Sequence, residues 1–181
     1  LSEARKTIAS YFSQPVVRLL AKTPITPNAV SWFGFWLTVG VAALIITGHL
    51  FAAGWGVLFA GFFDILDGAL ARSTNRTTRF GAVLDATLDR LAEAVLLLGI
   101  LFRYVREQSG IESDIGILVV GVALVGSLLV SYVRARVEAI GMECQVGFFT
   151  RTERVVVLAL GLLLSQIDYA LIVALAIIAL F

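Results

Sequence analysis

Asp64-Ile-Leu-Asp67-Gly68-Ala-Leu-Ala71-Arg72, followed after eight residues by Gly81-Ala-Val-Leu-Asp85-Ala-Thr-Leu-Asp89, sets four carboxylates into an otherwise apolar stretch of chain. On a helix, the spacing of three between Asp64 and Asp67 and of four between Asp85 and Asp89 puts each pair on one face. An ionised Asp at the centre of a membrane span costs about 2.5–3.5 kcal/mol on insertion scales, so four approach roughly 10 kcal/mol unless solvated or paired. Arg72 and Arg90, the basic residues nearby, are too few to neutralise them. An all-oxygen ligand set suits hard divalent cations, Mg²⁺ or Mn²⁺, and two such ions sharing carboxylates would clamp a diphosphate. Gly68, Ala71 and Gly81 fall on the same helical faces as the aspartates, where small residues admit a second backbone or a nucleotide.

The surroundings place this stretch in a bilayer. Of 181 residues, 59% are hydrophobic and 15% charged, too apolar a balance for a soluble domain of this length. Apolar runs predict six spans: Asn28–Thr47, Phe51–Ala71, Phe80–Tyr104, Ile115–Val137, a fifth ending at Leu164 and a sixth opening after Asp168. Pro24 and Pro27 separate the first span from residues 1–22, whose Ile8, Tyr11, Phe12, Leu19 and Leu20 recur at helical spacing among Arg5, Lys6, Arg18 and Lys22. The expected architecture is therefore all-α and integral to the membrane. An amphipathic interfacial helix over 1–22 precedes a six-span membrane domain over 23–181.

Basic residues set the orientation. Four lie in the amino-terminal arm, three between Arg72 and Arg79, and four (Arg134, Arg136, Arg151, Arg154) around the connection from the fourth to the fifth span, against Arg103 and Arg106 alone on the other side. Both basic loops and both termini are expected to face the cytoplasm, at the cell membrane. At 1.5 Å per residue, Asp67 lies roughly 8 Å in from Arg72 and Asp89 roughly 15 Å in from Arg79, so the carboxylates line a cavity open to that side. The second and third spans are expected to be antiparallel neighbours with facing acidic stripes. The net charge of +1 offers no basic stripe for nucleic acid. Cys144 is the single cysteine, so no internal disulfide forms. A metal or proton-coupled transporter would also place acids in spans, but the first and fourth carry none.

The arrangement D-x2-D-G-x2-A-R-x8-G-x3-D-x3-D, matched at every fixed position, resembles the signature of the CDP-alcohol phosphotransferase family. The resemblance implies that Asp64, Asp67, Asp85 and Asp89 bind metal and that Asp89 is also the general base. It implies that Gly68, Arg72, Thr78 and the segment Asn28, Ala29, Val30, Ser31 contact the CDP moiety of a CDP-diacylglycerol-like lipid, with Ala71 and Gly81 giving it room. The activity implied is transfer of a phosphatidyl-type group to an alcohol with release of CMP, by a homodimer.

Arg134, Arg136, Arg151 and Arg154 form a guanidinium cluster suited to a phosphorylated acceptor. Ser131-Tyr-Val-Arg134-Ala-Arg136-Val-Glu138 with Gly147-Phe-Phe-Thr-Arg151-Thr-Glu153-Arg154 resembles the branch that makes phosphatidylinositol phosphate from inositol phosphate. It departs from that branch at Arg134, commonly Lys, and at Thr150 and Thr152, commonly Glu and Pro. Glycerol 3-phosphate is the alternative acceptor. Glu93, one turn beyond Asp89, reads either as support for the site or as a partner of Arg90. Glu153 with Arg154 reads as a local surface pair. Trp32, Trp36 and Trp55 read as interface or packing aromatics, and His49 as a turn residue remote from the carboxylates.

Overall fold

The computed structural model describes residues 17, 19, 23, 26–74, 78–107, 111–141, 151–164 and 170–180, and every structural statement below concerns these. They form helices α1 (Pro27–Ile46), α2 (Leu50–Ser73), α3 (Arg79–Glu107), α4 (Ile111–Ala139), α5 (Arg151–Leu163) and α6 (Ala170–Leu180), with no strand among them. Most of the expected amphipathic helix over 1–22 lies outside the described residues. Val17, which is described, is buried in a small cluster with Val30, Leu66 and Leu70.

Local chemistry sets the boundaries. Thr26 caps α1, its hydroxyl accepting from the Ala29 N–H at 3.3 Å, and Pro27 occupies the first helical position, where a missing N–H costs nothing. Gly48, at φ +90°, turns the chain between α1 and α2. Thr78 caps α3 by accepting from the Gly81 N–H at 2.9 Å.

Helices α1, α2 and α4 are long and apolar enough to cross a membrane. Helix α3 has 29 residues but carries Asp85, Asp89, Arg90 and Glu93 along its first half. The described parts of α5 and α6, 13 and 11 residues, reach about 20 and 16 Å at 1.5 Å per residue. The outer surface is apolar where a soluble protein's would be polar: Trp36, Phe59 and Leu118 are each more than half exposed, while Asp67, Glu93 and Arg154 are buried within the bundle. Trp32 and Trp55 also lie exposed.

The packing corrects one expectation. Helices α2 and α3 do not lie against each other as close neighbours; α1 packs against both, α2 packs against α5, α3 against α4, and α6 against α4 and α5. Small residues permit the close approach of α1: a Cβ on Gly56 of α2 would stand 2.6 Å from a Val41 methyl, and one on Gly99 of α3 would stand 3.3 Å from the Ala42 Cβ. Helix α1 thus packs against both α2 and α3, which do not pack closely on each other. A continuous core of Val41, Ile45, Val57, Leu97, Ile100, Val120, Leu162 and Leu175 closes the rest of the bundle.

Candidate active site

The gap between α2 and α3 is a cavity of about 310 Å³, and its lining includes Ser31, Phe35 and Thr38 of α1, Asp64 and Asp67 of α2, Asp85, Asp89 and Glu93 of α3, and Arg154 of α5. One carboxylate oxygen from each of Asp64, Asp67 and Asp85 lies within 4.8 Å of the others, so the two acidic stripes meet across the space. Asp89 lines the same cavity one turn further along α3. Asp67 is the most enclosed of the four and is 4% exposed. Its Oδ2 accepts from the Ser31 hydroxyl at 2.6 Å.

A second cavity of about 150 Å³ adjoins the first and shares Ser31, Asp67 and Asp85 with it. Asn28, Gly68, Ala71, Arg72, Thr78 and Gly81 complete most of its wall, which brings together seven of the nine residues expected at a nucleotide. A Cβ on Gly81 would stand 2.9 Å from the Thr78 hydroxyl and 3.3 Å from the Asn28 amide oxygen, so glycine keeps this niche open. Ala29 and Val30 are not brought in: Ala29 faces outward, and Val30 is buried with Val17, Leu66 and Leu70. Helical geometry accounts for this, because Asn28 and Ser31 share a face that the two residues between them do not.

The arginine cluster divides. Arg154 lines the larger cavity, whereas the half-buried Arg134 and the exposed Arg136 line neither. The side chain of Arg151 is outside the described residues. Arg154, expected at the surface beside Glu153, is instead buried: it is 8% exposed, with Nη2 at 3.5 Å from Glu93 Oε2 and Nη1 donating to the Ser127 hydroxyl at 3.0 Å. Glu93 therefore faces the site rather than Arg90, whose guanidinium donates to the Ala86 carbonyl. Sequence reasoning passed over Ser127, a small hydroxyl in the apolar run of α4, two turns before Arg134. His49 stays remote, at the turn beside Thr47.

The donor set consists of oxygen atoms alone, close enough to share one hard cation, and the adjoining niche is lined by small residues and a guanidinium. These features define an all-helical protein with apolar, membrane-length helices and an acidic interior site fit for a divalent ion. More particularly, the chain belongs to the CDP-alcohol phosphatidyltransferase family, whose model matches residues 24–181. It is 37% identical over 164 residues to a phosphatidylinositol phosphate synthase of Mycobacteroides abscessus, covering 90% of this chain and 72% of that protein. The corresponding protein of Corynebacterium glutamicum is 38% identical over 177 residues, covering 92% and 77%. An archaetidylinositol phosphate synthase of Methanothermobacter thermautotrophicus is 35% identical over 153 residues, covering 82% and 74%. Crystal structures of Mycobacterium tuberculosis phosphatidylinositol phosphate synthase superpose at 34% identity. The one with CDP-DAG bound gives a TM-score of 0.82 over 93% of this chain and 86% of that one, and the one with manganese and citrate gives 0.83 over 93% and 82%.

Proposed function

We propose that this protein transfers the phosphatidyl group of CDP-diacylglycerol to the hydroxyl of a phosphorylated alcohol, inositol phosphate, and releases CMP. The observation that carries this reading is the junction of the two cavities, where Asp67 and Asp85 serve both the carboxylate cluster and the adjoining niche of small residues, Thr78 and Arg72. The relatives named as phosphatidylinositol phosphate synthases support the choice of acceptor.

In this reading Asp64, Asp67, Asp85 and Asp89 hold two ions, Mg²⁺ or Mn²⁺. When bound, these ions supply charge neutralisation at the diphosphate and stabilise the departing CMP. Asn28, Ser31, Gly68, Ala71, Arg72, Thr78 and Gly81 receive the CDP moiety, and Arg72 gives its phosphates a cationic partner. The acceptor hydroxyl attacks the phosphorus that carries the lipid, and Asp89 takes the hydroxyl proton. No covalent intermediate on the chain is needed. Arg154, with Arg134, Arg136 and Arg151 at the same end of α4 and α5, binds the acceptor's phosphate.

The reading includes a topology of six spans with an interfacial helix before them, a site open to the cytoplasm at the cell membrane, and a homodimer. The basic-residue asymmetry supports the orientation. The test is CMP release from CDP-diacylglycerol with Mn²⁺ or Mg²⁺, offering inositol phosphate, glycerol 3-phosphate and free inositol in turn. Inositol phosphate is expected to give the highest yield; equal yields with glycerol 3-phosphate would overturn the acceptor assignment.

A further inference from the structure

Glu93 is a buried acid that the mechanism above does not use. It stands one turn beyond Asp89, lines the same cavity, and its partner is the guanidinium of Arg154 on another helix. Both side chains are 9% exposed, and a pair so enclosed costs desolvation that its own attraction barely repays, so stability alone gives weak grounds for it. The contact is also loose. At 3.5 Å, with one carboxylate oxygen on one Nη, it is far from the two-pronged pairing that would saturate an arginine. Ser127 of α4 takes one further N–H at 3.0 Å, and Nε is buried and meets no acceptor among the described residues, which leaves the remaining Nη hydrogens as the donors that can reach a ligand.

The guanidinium is thus tethered from two sides with donors to spare. It also shares its cavity with four aspartates, which would attract it if it were not held.

We infer that Glu93 and Ser127 are positioning residues: they hold the Arg154 guanidinium at the wall of the cavity, away from the aspartates, with its uncommitted N–H groups ready for the phosphate of the acceptor. This rests on the proposed function for the phosphorylated acceptor and adds the residues that set its subsite. Three helices meet in the arrangement, since Glu93 lies on α3, Ser127 on α4 and Arg154 on α5. The acceptor subsite is then built only when α4 and α5 are docked on α3.

The experiment is steady-state CMP release by the full chain in detergent, varying inositol phosphate at saturating CDP-diacylglycerol and then the reverse. Glu93→Gln is expected to raise the KM for inositol phosphate about ten-fold, the loss of a hydrogen bond to a charged group, with the KM for CDP-diacylglycerol unchanged. Glu93→Asp, which keeps the charge, is expected to recover part of that affinity. Ser127→Ala removes no charge and is expected to raise the acceptor KM about three-fold, and it decides the matter if Glu93→Gln does not fold. An unchanged acceptor KM, or an equal rise for both substrates, would overturn the inference. Wild-type turnover that does not distinguish inositol phosphate from free inositol would instead remove the underlying acceptor reading, whatever the variants do.

Discussion

The Ser31 hydroxyl on α1 donates to Oδ2 of Asp67 on α2 at 2.6 Å, a bond that ties the helix carrying Asn28 and Ser31 of the nucleotide niche to the most enclosed carboxylate of the cluster. The bond occupies one lone pair of Oδ2 and fixes the rotation of the carboxylate, so the rest of the group is presented toward Asp64 and Asp85. Ser31→Ala is expected to weaken Mn²⁺ binding about ten-fold, and Ser31→Thr to retain it, because supporting bonds to metal ligands carry that order of effect. Titration of Mn²⁺ by electron paramagnetic resonance on the purified protein checks this without reference to turnover. Identical affinities in wild type and the alanine variant would mean that Ser31 does not orient the ligand.

Asp89 differs from the other three aspartates in its place along the site. The close group comprises Asp64, Asp67 and Asp85, while Asp89 lies a turn further on, where an acceptor hydroxyl could approach it. Asp89→Asn is expected to lower kcat by about 10²–10⁴-fold, the range for loss of a general base, with the helical fold retained. Circular dichroism and CMP release on the same preparation check both halves. Normal turnover would remove Asp89 from the role of base.

The niche around Arg72 makes a separate prediction about the lipid substrate. A methyl group at position 81 would press on the Thr78 hydroxyl, which caps α3, and on the Asn28 amide oxygen across the niche. Gly81→Ala is expected to raise the KM for CDP-diacylglycerol several-fold while the KM for the acceptor stays as it was. A rise confined to the acceptor would place the nucleotide elsewhere.

Much of this arrangement is legible along the chain because helical periodicity is a local property. The six apolar runs correspond to the six described helices, Gly48 marks the turn it occupies, and the spacing of Asp64, Asp67 and Asp85 puts their side chains on converging faces. Spacing fixes a face but not the neighbour that face meets. The seating of α1 between α2 and α3 depends on Gly56 and Gly99 meeting Val41 and Ala42, a fit that appears only when three helices are assembled. The Glu93 and Arg154 pair was hidden for the same reason: each has a nearer charged residue in sequence, Arg90 and Glu153, and the partner it takes comes from another helix. The inward turn of Val30 was within reach, since it lies off the face shared by Asn28 and Ser31.

The fit between α1 and α2 gives a prediction with an internal control. A Cβ on the half-buried Gly56 would stand 2.6 Å from one methyl of the core residue Val41 and 3.5 Å from the other, whereas a Cβ on Gly40 meets nothing within 4 Å. Both positions are in helix interiors, where alanine is favoured over glycine by about 1 kcal/mol when space allows. Gly40→Ala is therefore expected to be neutral or stabilising. Gly56→Ala is expected to cost about 1–3 kcal/mol through overpacking, because Val41 has few rotamers with which to give way. Because α1 packs against both α2 and α3, the same change is expected to disturb the carboxylate cluster as well, lowering Mn²⁺ affinity in a protein that still folds. Thermal unfolding in detergent with and without Mn²⁺ separates the two effects, and adding Val41→Ala to Gly56→Ala should restore both by making room for the new methyl group. Equal melting temperatures for Gly40→Ala and Gly56→Ala would show that this contact does not set the distance between the helices that carry the aspartates.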